Sequence, residues 1–200
     1  MYENIIVTPG GIPVAFQDRG MKAWIEKQID KKGSNFHLGA NLKALGGTFM
    51  GWAQDIHGKI GDVVKFKNAI TDEGLNNLLD EYFDSATQTT SWYLGLINNA
   101  SFSALAAGDT MASHAGWLEA ASYSGTRAAW GVGSAAARAI TNATPASFSI
   151  TGTMTLKGAF LTSNSTISGT TGILFSTGTF SSTYPVANTD TFKLIYTVQG

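Results

Sequence analysis

Charge is confined to one end of this chain. Residues 1–84 carry 11 acids and 9 Lys or Arg, whereas residues 85–200 carry only Asp109, Glu119, Arg127, Arg138, Lys157, Asp190 and Lys193. Those 116 residues also hold 36 Ser or Thr. A domain that stands alone in water usually covers itself with Lys and Glu. Here hydroxyls must do that work. Two compatible explanations follow. Thr is favoured in strands, so the second half reads as a β-domain. A hydroxyl-rich, weakly charged surface also suits close packing against neighbours, because few ions lose their hydration.

The apolar pattern of the second half is β. From 147 to 161, Phe148, Ile150, Met154, Leu156 and Phe160 share one parity and Ser149, Thr151, Thr153, Thr155 and Lys157 the other, the period-2 signature of a strand with a core face and a wet face. Gly152 and Gly158 interrupt that face and mark bulges or close backbone approach. Phe192, Leu194, Tyr196 and Val198 repeat the alternation, as do Trp92, Leu94 and Leu96, and residues 173–180 form another strand. Several short strands separated by turn-rich stretches predict a mainly β fold, an antiparallel sandwich or small barrel of Ig-like or jelly-roll-like kind. Ser103–Ala121 reads as a long ordered loop with a helical turn.

The first half reads differently. Pro9-Gly10-Gly11-Ile12-Pro13 resists regular structure. Residues 20–32 fit a helix with Met21, Trp24, Ile25 and Ile29 on one stripe. Asn35–Gly61 is rich in glycine, with Phe36, Phe49, Met50 and Trp52 between. These features predict an extended, Gly-rich arm over 1–61 and a β-domain over 62–200. Trp24, Ile25, Phe36, Phe49, Met50 and Trp52 are the candidate partner interface. A helix is expected at 72–83, capped by Thr71 with Asp72 and Glu73 at its positive end. Its Leu75, Leu78, Leu79 and Tyr82, at i, i+3, i+4, i+7 spacing, are expected to pack on the sheet.

Motifs for chemistry are sparse. The chain has no cysteine, and its net charge of −1 provides no field for nucleic acid or acidic membranes. It opens Met1-Tyr2-Glu3-Asn4 without the pattern of a signal peptide, and no apolar run is long enough for a membrane span. Asp55 and His57 are two apart, and His114 lies between Asp109 and Glu119; structural roles outweigh catalytic ones for both. The glycines of 46–51 lack the lysine and the strand–loop–helix frame of a phosphate loop. Trp92, Trp117 and Trp130, beside Tyr93 and Tyr123, fit a core better than a sugar platform. The expectation is a protein that is not an enzyme, with no cofactor and no metal.

Phe66-Lys67-Asn68-Ala69 with Gly74-Leu75 and Leu78-Leu79, then Ser91-Trp92-Tyr93-Leu94-Gly95-Leu96, Ala107–Trp117, Lys157–Ser163, Gly169–Gly172 and Asn188–Phe192, resemble a group of small virion proteins of tailed bacteriophages, labelled variously as virion, head-decoration or tail-fibre proteins. The resemblance covers about two thirds of the chain. It implies a structural protein of the virion, assembled in the host cytoplasm. Its partners would be the major capsid protein or other virion proteins and copies of itself, a trimer being one arrangement. A capsid decoration or cement protein held by its arm is the first expectation. The alternative is a tail-associated fibre or adhesin binding host-surface glycans.

Overall fold

A computed structural model describes the backbone of residues 5–7 and 13–15 and all of residues 45–200. The chain divides into two compact units, Met1–Lys43 and Ala44–Gly200. In the first, β1 (Ile5–Val7) pairs antiparallel with β2 (Pro13–Ala15). Strand β2 thus begins inside the Pro9–Pro13 segment expected to resist regular structure; Pro13 takes the first position of the strand, where proline is tolerated. The helix expected at 20–32 lies outside the described residues, as do Trp24, Ile25 and Phe36.

The second unit is mainly β. Its strands are β3 (Gly46–Gln54), β4 (Val64–Ile70), β5 (Tyr93–Asn98), β6 (Leu118–Glu119), β7 (Ala128–Ala129), β8 (Ala139–Thr141), β9 (Ala146–Ser149), β10 (Met154–Thr162), β11 (Leu174–Val186) and β12 (Thr191–Gln199), with the helix α1 (Asp72–Phe83) between β4 and β5. All pairings are antiparallel. The main path runs β6-β5-β10-β11-β4-β3-β12-β8, with β7 on β5 and β9 on β12. β4 and β11 meet over only two residue pairs, Ser176↔Ile70 and Thr177↔Ala69. At this short junction the two halves of the sheet fold over one core, giving a sandwich-like architecture as expected. Leu94, Leu96 and Leu156 of one half share that core with Phe49, Phe192 and Tyr196 of the other.

The structure moves the expected boundary at 61/62 to 43/44. Residues 46–54, read as part of the arm, form an inner strand between β4 and β12. Glycine is normally depleted in strands, but here it makes room for aromatics. A Cβ on Gly47 would come within 2.7 Å of the Tyr196 ring, and one on Gly51 within 2.7 Å of the Phe192 ring. Phe49, between them, stacks on Tyr196 at 4.1 Å and on Phe66 at 5.1 Å between centroids.

The run 147–161 is two strands. The register of β10 shifts between Leu156 and Gly158 against both neighbours, and a Cβ on Gly158 would meet the Gly178 carbonyl at 2.0 Å. The bulge reverses parity. Leu156, Ala159 and Leu161 enter the main core, while Phe160 joins Ile97, Met111, Trp117 and Leu174 in a second cluster. Phe160 therefore leaves the face that simple alternation assigned to it. Ser103–Ala121 is loop with the two-residue β6, and holds no helix.

Candidate interaction surface

The helix α1 is mounted by its first turn. Thr71 has extended backbone, and its side chain accepts a hydrogen bond from Gly74 N at 3.0 Å, as expected for the cap. The Thr71 hydroxyl in turn donates to the Leu174 carbonyl. Thr71 N donates to Phe175 O and Leu174 N to the Glu73 carboxylate at 2.7 Å, which complete the attachment to β11, while Asp72 N donates to Ala107 O in the loop between β5 and β6. Gly74 is the one buried residue of the helix and lies directly on the Phe175 backbone.

The rest of α1 does not pack as expected. Leu75, Leu78 and Leu79 are exposed, and Tyr82 and Phe83 are 79% and 76% exposed. With Gly74 as the contact point, the Leu75–Leu79–Tyr82/Phe83 stripe turns sideways from the sheet. The rings of Tyr82 and Phe83 meet edge to face at 4.9 Å, a stiff apolar tip in solvent. Asp72, Glu73, Asp80 and Glu81 surround the stripe, Asp84 ends the helix, and the last turn has no base. Burial alone would raise the Glu81 carboxyl, but hydrogen bonds from the Thr89 N–H and the Asn77 amide outweigh it and hold the group below its ordinary value.

A groove of about 250 Å³ runs beside α1, walled by Leu45, Leu78, Trp92, Trp130, Ile140 and Val198. Trp130 is fixed by its indole N–H, which donates to the Tyr196 carbonyl at 3.0 Å.

A second surface lies on the outer side of β3, β4 and β12. Register places Met50 opposite Lys65 and Ile195, and Trp52 opposite Lys193. Met50, Trp52 and Ile195 are half-buried, Lys65 and Lys67 exposed. These three strands contain no Asp or Glu. The surface is an apolar strip bordered by three lysines.

Among the described residues, the structure separates the residues expected at the interface. Phe49 is core, because inward and outward positions alternate along β3 and Phe49 is inward. Met50 and Trp52 come together on the outer face. The apolar side of α1, assigned from sequence to packing, is open. The signal that could have found it is the acidic residues of its last two turns, which oppose the helix dipole.

Other polar clusters serve the fold. Asp55 Oδ1 accepts from the His57 and Lys59 N–H groups at 2.9 Å, making a loop turn that leaves the His57 ring aside. The His114 ring stacks on Trp117 at 4.0 Å, and the buried Trp117 indole donates to Asp109 at 3.0 Å. Trp117 and Tyr123 are core, as expected; Trp92 and Trp130 border the groove. Burial, with the Glu119 carboxylate beside it, pushes the Tyr123 phenol well above its ordinary value.

No family model matches the chain, and no curated protein matches it either.

Proposed function

We propose that this chain is a structural protein of a tailed-phage particle, a decoration protein that attaches through residues 1–43 and presents the sheet domain to neighbouring subunits. The observation that carries this is the open apolar stripe of α1. It is built on a helix bolted to the sheet by its first turn, so it is presented rigidly and needs little ordering on binding. Surfaces of this kind mark protein–protein contacts. The charge-poor remainder of the domain suits dense packing, and the resemblance of residues 63–200 to small phage virion proteins gives the setting.

The test is attachment to particles. Particles lacking the protein are incubated with the full chain or with residues 44–200, sedimented, and the bound protein counted. Hundreds of full-length copies per particle, with at least tenfold fewer of the shortened chain, are expected. Equal binding of both removes residues 1–43 from the anchor. A small multiple of three or six copies supports the tail-adhesin reading, for which the Trp92/Trp130 groove would be the glycan contact.

A further inference from the structure

The two surfaces described above are complementary in charge. The stripe of α1 is apolar at its centre and acidic around it, with five acids and no base over residues 72–84. The outer face of β3, β4 and β12 is apolar at its centre, with Lys65, Lys67 and Lys193 around it and no acid on its strands. The two do not meet within one molecule. The first turn of α1 is fixed to β11, and Tyr82 and Phe83 remain largely exposed.

We infer that copies of this chain associate head to tail, α1 of one copy lying on the outer face of β3, β4 and β12 of the next. The occupant of the α1 face is thus a second copy, but not through its own α1. Two such helices face to face would bring ten acids together with no base, and like charges at an interface oppose association. The helix is about 18 Å long. It matches the Trp52–Met50–Thr48 line of β3, with Leu75, Leu79 and Phe83 over Trp52, Met50 and Ile195 and with Asp80 and Asp84 near Lys65 and Lys67. A contact between two different surfaces leaves each copy with one free end, so it closes into a ring or continues as a row.

A second feature points the same way. Asp80 and Asp84 lie at the negative end of the α1 dipole, where acids weaken a helix and bases would strengthen it. A local choice that opposes stability is expected at a functional site.

The contact does not depend on the particle reading and is tested without particles. Sedimentation velocity of the full chain at low salt, across a concentration series, should show species growing beyond the monomer, reduced at 1 M salt as the ion pairs are screened. Leu79→Ser with Phe83→Ser should weaken association roughly a hundredfold, the order expected for two apolar side chains no longer buried. Lys65→Glu with Lys67→Glu should weaken it several-fold to tenfold. All four positions are solvent-facing, and circular dichroism checks that the variants remain folded. Mixing the two variants should give a 1:1 dimer that grows no further, because each retains the surface the other lacks. Asp80→Lys and Asp84→Lys, placed in one chain with Lys65→Glu and Lys67→Glu, should restore association. A full chain that remains monomeric at every concentration overturns the inference. So does a mixture that stays monomeric, or association lost with the helix variant but untouched by the lysine variant.

Discussion

The Arg127 side chain donates four hydrogen bonds from inside the domain. Two reach the Glu119 carboxylate at 2.8 and 2.9 Å; the others reach the carbonyls of Asn164 and Gly169. Its guanidinium also lies over the Phe160 ring, 5.3 Å from the centroid. Both charged side chains are almost wholly buried. Glu119 accepts as well from the Tyr123 hydroxyl and from Ser168 N. The pair therefore ties the 163–172 loop to the β5–β6 end of the sheet. Isolated charges are costly in such a place, so removing one partner costs more than the pair is worth. Arg127→Met should lower stability by about 3–5 kcal/mol, and adding Glu119→Leu should recover much of the loss. Urea denaturation of the four chains of the double-mutant cycle checks this. A double variant no more stable than Arg127→Met would show that the loop contacts, not the buried charge, carry the effect.

At the scale of the element, α1 reverses an ordinary rule. Replacing a helical glycine by alanine usually stabilises by up to about 1 kcal/mol. At Gly74 a Cβ would meet the Phe175 carbonyl at 2.4 Å, so Gly74→Ala should lift the first turn from β11 and lower the melting temperature. A raised melting temperature would contradict the seating described for α1. The far end depends on pH. The Glu81 carboxyl is held below its ordinary value by Thr89 and Asn77. A depressed carboxylate contributes stability above its unfolded pKa, near 4.5, and loses it as pH falls through the lower folded value. The protection of the Thr89 amide relative to intrinsic exchange at each pH should fall below that value, and Glu81→Gln should remove this change. The group is mostly solvated, so the effect is about half a kcal/mol or less.

These two ends also show what the sequence could reveal. Thr71, Asp72 and Glu73 spelled out the helix start, because capping is local chemistry, and alternation in 192–198 gave β12 for the same reason. The orientation of α1 was illegible because it depends on Gly74 meeting a backbone 101 residues away. The β10 bulge at 156–158, which sends Phe160 to the second cluster, was announced by Gly158 but its change of parity was not. Of the candidate site, the sequence singled out Met50 and Trp52, and the structure puts both on the outer face of β3. Their lysine border was not legible, because it is assembled from three strands far apart in the chain.

For the whole molecule, the position of β3 sets where the chain can be cut. It pairs with β4 over five positions and with β12 over nine, and Phe49 stacks between Phe66 and Tyr196. Removal of residues 1–43 should leave a cooperatively folding sheet domain. Removal of residues 1–60 should leave an insoluble or molten chain, with the inner faces of Phe66 and Tyr196 uncovered. Thermal melts of the two shortened proteins check this, and a cooperative melt of the shorter one would show β3 to be dispensable.

The same placement has a mechanical consequence. Any segment preceding residue 45 is spliced to an inner strand rather than to an edge or a loop. A pull on that segment along the β3 axis, with the far end of the domain held, loads the β3–β4 and β3–β12 ladders together in shear instead of peeling one bond at a time. Rupture under force is governed by the unfolding rate, so a tether entering at Gly46 should hold to higher forces than one entering at α1, whose attachment is confined to a single turn.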